Sequence, residues 1–445
     1  MNNITLYTNA LLIILLTGVQ PIIGQEKEEQ ENNTRPGQIT FVTPLGTNGY
    51  KSPEISNNFS LNILVGINGG VKGAEIGGLF NLNKDDVTGF QVAGLGNQVS
   101  AGSKAFQVSG LYNFTASSDY TFQVSGLTNI SRAGTVSGQV TSLVNVNSGD
   151  LEGMQATGLV NTNKGYVKGL QIAGLVNNQS KDLTGMQAAG LVNVNNEKTK
   201  GFQVAGLVNA NQDSIQGAQV AGLYNFTKTN SHGFQAAGLV NTNSGTIKGA
   251  QIAGLVNFTN SLRGFQLSFI NIADTVESGV PIGFMSIVNR NGYRRMEVNA
   301  NEILFLNYTF KTGISYFYNI ISIGIRPELD YHTWGFTYGI GTIAPLNDKM
   351  NLNIDLTSTQ VSESEDVWTS ELNLFNRLEL ELGYRIGNRI EITAGPSLVV
   401  HVSKITDDEG RISGSRHIPG WNFYDGVHRG SRLVIYPGFS AGIRF

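Results

Sequence analysis

The sequence predicts an all-β protein in which a 16-residue-repeat β-solenoid is joined to an antiparallel membrane β-barrel of about eight strands. Two observations carry this prediction. A motif recurs every 16 residues, twelve times, from Glu75 to Asn257 without an insertion or deletion, and the last third of the chain alternates apolar and polar residues with period two. A fixed period indicates that every unit occupies an equivalent place in an array, and alternation is typical of strands with one buried face.

Three columns of residues define the repeat. The clearest copies read Gly-Phe-Gln-Val-Ala-Gly-Leu-Val-Asn from Gly201 and Gly-Ala-Gln-Ile-Ala-Gly-Leu-Val-Asn from Gly249. Every unit has Leu four residues after the first column and Asn two residues later, whereas the Gly before Leu is replaced once, by Ser142. The first column is Glu75, Gln91, Gln107, Gln123, Gln139, Gln155, Gln171, Gln187, Gln203, Gln219, Gln235 and Gln251.

Two β architectures fit a unit that is too short and too rich in Gly and Asn for a pair of helices. In a solenoid each unit is one coil and equivalent residues stack, whereas in an antiparallel meander each unit is one strand. Asn in every unit favours the solenoid, because stacked amides bond one another in a ladder. We then expect the Leu column to form a core stripe, and Gly to mark corners and close backbone approach. Any function of the array would lie on variable positions such as Phe90, Phe202, Tyr112 and Tyr224.

The N-terminal segments have their own predicted roles. Residues 1–25 resemble an export signal with an apolar run, Ala10–Leu16, although no Lys or Arg precedes it. Residues 26–56 are predicted to be a linker that can include a short strand, and residues 57–68 a first barrel strand. The solenoid with its cap then covers residues 69–292, and the other barrel strands cover residues 300–445.

The C-terminal third has the alternation of a membrane barrel, with apolar residues toward lipid and polar residues toward the lumen. Leu374, Leu378 and Leu380 alternate with Arg377 and Glu379, and a polar face with both charges suits pairing inside a narrow lumen. A soluble sandwich with one wet face is the alternative. Seven strands from Ile303 to Phe445, together with Phe59–Ile67, would make eight.

Loop lengths predict the orientation of this barrel. Outer-membrane barrels have short periplasmic turns and longer outer loops, so the long segment Ser403–Ser431 is predicted to lie outside. A solenoid inserted between the first and second barrel strands would also emerge on the outer side. We therefore expect the repeat region to face outside the cell outer membrane.

The Gly-x-Gln-x-Ala-Gly-Leu-Val-Asn array resembles a family of bacterial surface-repeat proteins found in Bacteroidota and spirochaetes. The resemblance covers Phe59 to about Tyr293, and Gly283–Tyr293 is similar to the family's usual exit from the array. The last strand, which ends at Phe445, resembles the terminal assembly signal of bacterial outer-membrane barrels. The family resemblance implies a surface location and no established activity.

Composition and spacing argue against several classes of function. The chain has no Cys, 14% charged residues and a net charge of −3, which excludes thiolate metal sites and disfavours a nucleic-acid partner. Carboxylates and His residues show no catalytic spacing. We expect a non-enzymatic protein without cofactor or metal that serves adhesion, surface coating or partner binding. Its expected partners are outer-membrane lipid and a glycan or a host or bacterial surface protein.

The candidate binding residues lie in the last long loop, where aromatic side chains adjoin charged ones. They could stack on a sugar or grip a partner, or they could simply pack over the barrel mouth. A rival hypothesis is a porin or transporter in which the repeats are strands of a barrel of about twenty strands, wide enough to hold water. The candidate binding residues are Trp421, Phe423, Tyr424, Asp425, His428 and Arg429.

Overall fold

The structure is a computed structural model that describes residues 33–327, 332–364, 371–387, 390–407 and 409–445. It is nearly all-β and contains a β-solenoid of about 14 turns and a closed antiparallel barrel of eight strands, which confirms the predicted fold class. The chain divides into two compact units, residues 1–185 and 186–445, and each is described by itself. The predicted export signal, residues 1–25, lies outside the described residues. In the part of the chain that is described, no helix is long and apolar enough to span a membrane.

The first unit consists of solenoid strands and one 3-10 helix, Gly49–Glu54. Its strands are β1 (Thr34–Val42), β2 (Leu45–Gly46), β3 (Ser56–Asn68), β4 (Val71–Gly77), β5 (Phe80–Asn83), β6 (Val87–Ala93), β7 (Gly96–Ser109), β8 (Tyr112–Ser125), β9 (Thr128–Ser131), β10 (Gly134–Thr141), β11 (Val144–Asn147), β12 (Asp150–Thr157), β13 (Val160–Asn163), β14 (Val167–Ala173) and β15 (Val176–Gln179).

The second unit holds further solenoid strands and the barrel, and β16 (Leu183–Ala189) crosses the division. The solenoid strands are β17 (Val192–Asn195), β18 (Thr199–Ala205), β19 (Val208–Asn211), β20 (Ile215–Ala221), β21 (Tyr224–Thr227), β22 (Ser231–Ala237), β23 (Val240–Ala253), β24 (Val256–Leu267), β25 (Ile270–Ile282) and β26 (Met285–Val288). The remaining strands are β27 (Tyr293–Asn301), β28 (Leu306–Ile314), β29 (Phe317–Pro327), β30 (His332–Pro345), β31 (Met350–Ser364), β32 (Asn373–Ile386), β33 (Ile390–Ser403), β34 (Tyr424–His428) and β35 (Ser431–Arg444).

Each repeat forms one coil, and most coils consist of a longer strand, a Gly-Leu corner, a four-residue strand and a polar turn. In β7, β8 and β23 the short strand continues into the next longer strand. The longer strand β18 pairs in parallel with β20, and Gln203 lies opposite Gln219. The short strand β19 pairs in parallel with β21, and Asn209 lies opposite Asn225. Parallel pairing between equivalent residues is the geometry of stacked coils, because a meander would pair its strands antiparallel. The rival architecture, in which the repeats are strands of a wide barrel, is therefore wrong.

Two ladders of side-chain amides fill the interior of the coils. In one ladder the Gln Nε2 donates to the Oε1 of the Gln one coil earlier, for example at 2.8 Å from Gln139 to Gln123 and 3.0 Å from Gln219 to Gln203. In the other ladder the Asn Nδ2 donates in the opposite direction, to the Asn one coil later, for example at 2.9 Å from Asn209 to Asn225. The same Nδ2 also donates to a backbone carbonyl oxygen, that of Val220, at 2.8 Å. These amides are buried, and the predicted Asn ladder is confirmed from Asn81 to Asn177 and from Asn193 to Asn271.

The Leu column lies on the outside of the coils, so the predicted Leu core stripe is wrong. Eleven of the twelve residues are 37–51% exposed. Because Leu lies four residues after Gln, the two side chains would point to the same face of a straight strand. The bend at Gly-Leu ends the strand, however, and turns the Leu side chain outward. The apolar core instead comes from the start of each longer strand. In the first unit it contains Val71, Val87, Val136, Leu151 and Val167.

Glycine is required where one coil approaches the next. Gly217 has φ +138, and a Cβ there would lie 1.9 Å from the carbonyl oxygen of Gly201. At the corner, a Cβ on Gly222 would lie 2.0 Å from the carbonyl oxygen of Gly206. The prediction that Gly marks unusual dihedrals and close backbone approach is confirmed at these positions.

The predicted first barrel strand, residues 57–68, is a solenoid strand. It lies in β3, which pairs in parallel with β1, β4 and β5. Its alternation suits the solenoid because its polar side chains, Asn57, Ser60 and Asn62, enter the amide-filled interior and are buried. Residues 26–56 were predicted to be a linker that can include a short strand. From Thr34 onward they contain β1, which belongs to the same sheet as β3, so that part is solenoid and not linker.

All the barrel strands therefore follow the solenoid in the sequence, and none precedes it. The first barrel strand is β27, which closes the barrel by pairing antiparallel with β35, with Glu297 opposite Arg444. The predicted number of eight strands is confirmed, but the insertion of the solenoid between two barrel strands is wrong. The predicted position of the repeats on the outer side depended on that insertion.

Glu75 occupies the first position of the Gln column and is fully buried. Its Oε1 accepts hydrogen bonds from Asn62 at 2.9 Å and Asn68 at 2.5 Å, and its Oε2 from Asn83 at 2.7 Å and Gln91 at 2.8 Å. A carboxylate has two acceptor oxygens, which suits a place where four amide donors converge. Burial raises the pKa of the Glu75 carboxyl above 4.5, and the four amide hydrogen bonds oppose that rise.

Removing one whole period should leave a folded solenoid that is one coil shorter. Deletion of residues 201–216 joins Lys200 to Gly217 and keeps both ladders in register, because each coil contacts only its neighbours. Deletion of residues 201–208 should instead place Asn opposite residues of another column and break both ladders. Circular dichroism melting and protease resistance of the two variants check this, and equal behaviour of the two would contradict the stacked-coil register.

Glu75→Gln should destabilise the first unit and change its pH dependence. The variant places an amide NH2 opposite two of the four converging donors, at a cost of about 1–3 kcal/mol. In the wild type the folded state binds the Glu75 proton more tightly than the unfolded chain does, so stability falls as pH rises above 4.5 toward the raised pKa. The variant should lack this fall.

Urea unfolding at a series of pH values measures both effects. Asp119→Asn is the matched control, because Asp119 is exposed and bonds only at the surface, 3.4 Å from Lys104. We expect the control to keep the wild-type pH slope, and a Glu75→Gln variant with that same slope would refute the assignment.

Candidate functional site

The half of the barrel lumen nearer the short turns is filled by a charge network. The Lys311 Nζ lies 2.7 Å from Asp355 and 3.1 Å from Glu297. The Arg444 guanidinium lies 2.7 Å from Glu297 and 2.8 Å from Glu391. All five side chains are at most 9% exposed. Ion pairs of this kind need close geometry and further hydrogen bonds to offset the cost of removing charges from water.

The half of the lumen nearer the long loops is closed by an apolar cluster. Ile303 and Leu304, in the connection between β27 and β28, pack there with strand residues. The backbone N–H groups of Ile303 and Leu304 donate to the Asn301 Oδ1 at 3.0 and 2.8 Å, which fixes the connection in place. The cluster consists of Ile303, Leu304, Val361, Phe375, Val399, Val434 and Tyr436.

A polar cavity of about 30 Å³ remains in the lumen. Lys311, Asp355, Arg377 and Glu381 are among its lining residues. A cavity of this size has room for one or two water molecules, which is far below the volume of a ligand pocket. The described side chains thus make the lumen a packed interior, and its charge network is best explained as structural.

The predicted binding residues form an exposed hairpin at the long-loop end of the barrel. β34 pairs antiparallel with the start of β35 through the two-residue turn Arg429-Gly430, whose φ values are +46 and +77. Positive φ at both central positions is typical of a type I′ turn, whose twist matches that of the two strands. Phe423 is 71% exposed, and Trp421 is also exposed.

The structure brings some of the predicted residues together and separates others. The rings of Tyr424 and His428 stack with centroids 6.0 Å apart, and the Tyr424 hydroxyl bonds the His428 Nε2. Trp421 instead contacts Tyr436 edge-on, with centroids 6.5 Å apart. Arg429 occupies the turn. These residues therefore form a patch of exposed aromatic rings without a closed pocket.

Asp425 pairs with Arg432, which is not among the predicted binding residues. The Arg432 Nε and Nη2 donate to its two carboxylate oxygens at 2.9 and 2.6 Å. These hydrogen bonds hold the pKa of Asp425 below its usual 3.8. The turn at Arg429-Gly430 could have revealed the pair, because it places Val427 opposite Arg432 and Asp425 one diagonal step away.

The alternation predicted part of the lumen network by residue. Alternation predicted that Arg and Glu would share an inward face, and Arg377 and Glu381 do so. Lys311 and Glu297 were not predicted. Glu297 lies on β27, and most of β27 falls between the predicted solenoid cap and the predicted barrel strands. Among the described residues, no group of three or more His, Asp or Glu side chains is arranged to hold a metal ion.

Comparison with known proteins adds no relative. No family model, no curated protein and no solved structure matches this chain. The resemblance to bacterial surface-repeat proteins therefore stays a prediction.

Arg444→Met should strongly destabilise the barrel. It leaves Glu297 and Glu391 buried without their shared cation, and breaking a buried ion pair in this way costs about 3–5 kcal/mol. The temperature at which the folded band is lost in semi-native gel electrophoresis measures the effect. Arg385→Met removes an exposed arginine at the end of β32 and should change stability by about 0.5 kcal/mol or less. Similar shifts for both variants would show that the network contributes nothing specific.

Proposed function

We propose that the chain is a non-enzymatic outer-membrane protein. The barrel crosses the bilayer, exposes the aromatic hairpin outside the cell, and carries the solenoid of the second unit on the periplasmic side as a binding scaffold. The outer-membrane location and the outward position of the last long loop agree with the predictions made from the sequence. The position proposed for the solenoid is the reverse of the predicted one.

One observation carries the proposal: the barrel has polar residues inside and apolar residues outside. Inward-facing Asp355, Glu381 and Arg444 are at most 2% exposed. Outward-facing Ile323, Leu356 and Leu382 are 48–54% exposed. A water-soluble barrel would have the opposite distribution, because apolar side chains gain about 25 cal/mol per Å² on leaving water. An apolar outer band is what a bilayer requires.

The lengths of the connections support the proposed orientation. At one end of the barrel, short turns such as Ser315-Tyr316 and Leu346–Lys349 join the strands, and β27 begins and β35 ends there. At the other end lie the longer connections, including residues 404–423 before β34. Outer-membrane barrels place short turns in the periplasm. The solenoid enters the barrel at the short-turn end, so this rule places it in the periplasm.

The orientation divides the predicted roles between the two ends. Adhesion to a glycan or a surface protein would belong to the hairpin, where Trp421 and Phe423 offer exposed rings for stacking. Partner binding would belong to the solenoid, whose exposed variable side chains include Phe90 and Phe202. Surface coating by the repeats would need the opposite orientation.

Site-specific labelling of whole cells tests the orientation. The chain has no Cys, so a single introduced cysteine is the only thiol. Phe423→Cys should react in intact cells with a maleimide carried on a polymer too large for porins. Lys228→Cys, in an exposed polar turn of the solenoid, should react only after the outer membrane has been permeabilised.

Two outcomes would contradict the proposal. Labelling of Lys228→Cys in intact cells, without labelling of Phe423→Cys, would reverse the orientation. Recovery of both variants in the soluble fraction after export would show that the barrel does not lie in the membrane.

A further inference from the structure

The solenoid coils of the second unit have one strongly apolar side, centred on the Gly-Leu corners. The corner column consists of Leu191, Leu207, Leu223, Leu239, Leu255, Phe269 and Phe284. Its leucines are 38–51% exposed. Because the coils stack in register, these side chains form a continuous ridge and not scattered apolar residues.

The columns beside the ridge widen the apolar surface. One position after each Gln of the longer strand, exposed residues include Val204, Val220 and Ile252. One position before it lie Phe202 and Phe234, which are also exposed. Large contiguous apolar surfaces on proteins mark membrane or protein interaction sites, so this side needs an occupant.

The ridge runs directly onto the outer wall of the barrel. The rings of Phe269 and Phe284 stack with centroids 4.9 Å apart, and Phe284 stacks on Tyr338 of β30, again at 4.9 Å. The Tyr338 hydroxyl also donates to the carbonyl oxygen of Gly283 at 3.1 Å. Tyr338 shares its outward direction with the exposed residues Phe336 and Ile340. The apolar side of the solenoid is therefore continuous with the face that the barrel would present to lipid.

The polar border of the apolar side has the composition of a membrane interface. Two positions before the Phe column, the exposed side chains are Lys200, Gln216, His232, Lys248 and Arg263. None of these is acidic, although Arg263 bonds Glu277. Aromatic rings followed by cationic side chains are typical of surfaces that lie at the boundary between acyl chains and headgroups. Cations at this level also attract anionic phospholipid headgroups.

We propose that the apolar side of these coils lies on the periplasmic leaflet of the outer membrane, with the corner column in contact with acyl chains. This inference rests on the proposed membrane barrel. The lipid surface is the occupant that the observations favour, because the ridge and the barrel wall form one apolar surface. A second copy of the chain or a protein partner would need a surface that fits both the ridge and the barrel wall.

Depth-dependent quenching in reconstituted vesicles tests this docking. The full-length protein would carry one cysteine labelled with an environment-sensitive fluorophore, at Leu223→Cys on the ridge or at Lys228→Cys in the polar turn of the same coil. Both residues are exposed, so neither change disturbs the core. Vesicles of phosphatidylethanolamine and phosphatidylglycerol would be prepared with and without brominated acyl chains.

We expect brominated lipid to quench most of the emission at position 223 and little at position 228, whereas aqueous iodide should quench in the opposite order. Leu380→Cys, on the outward face of β32, reports on the barrel alone. If Leu380→Cys is quenched by brominated lipid and Leu223→Cys is not, the docking proposal fails and the membrane barrel stands. If neither is quenched, the membrane barrel fails as well.

One further outcome would identify a different occupant. If position 223 is protected from both quenchers, and the protection is lost when the protein is diluted in the vesicles, a second copy covers the ridge. That result would overturn the proposal of a lipid surface.

Discussion

Burial of side-chain amides is the constraint on which the solenoid depends. Gln and Asn carry donors and acceptors that water would satisfy, and in the coil interior only the amides of neighbouring coils and nearby backbone groups can replace water. The Asn209 amide shows how complete the replacement is: its nitrogen donates to Asn225 and to the Val220 carbonyl oxygen. Repeats of equal length keep these amides level from coil to coil. Beyond the twelve repeats the ladders still continue across spacings of 14 and 15 residues, from Asn257 to Asn271 and from Gln266 to Gln251, so the constraint is the position of the amide in the coil and not the length of the repeat.

The two ladders also have opposite directions. Gln donors point toward earlier coils and Asn donors toward later ones, so the amide dipoles of one ladder oppose those of the other. At each end of the Gln ladder, a residue other than Gln takes the next position. At the first of the twelve repeats, Glu75 receives the last Gln donor together with three Asn donors. At the last coils, Pro281 lies opposite Gln266 and cannot extend the ladder, and the Gln266 Oε1 has no hydrogen-bond partner among the described residues.

The solenoid and the barrel share one principle, which is a polar interior with an apolar exterior. In the barrel the interior groups are charged, and Lys311 and Arg444 each contact several carboxylates. In the solenoid they are neutral amides except at Glu75, whose carboxylate is held by four amide donors instead of a counter-charge. The shared arrangement explains why strand β3 looked like a barrel strand: its alternation of polar and apolar residues fits either interior. It also explains why the solenoid and the barrel both have apolar side chains on their outer surfaces.

The sequence by itself determined the fold class, the register of the coils and the inward face of the barrel strands, because each depends on a period that is visible along the chain. It also located the aromatic hairpin, since Trp421, Phe423 and Tyr424 are close in sequence. Only the tertiary structure decided that the Leu column lies outside, because the bend at each corner interrupts the parity on which the prediction rested. It likewise decided that β27 and not residues 57–68 begins the barrel, and that Asp425 pairs with Arg432. Strand partners far apart in sequence are selected by hydrogen bonds across the sheet, and a local pattern that suits two polar interiors does not distinguish between them.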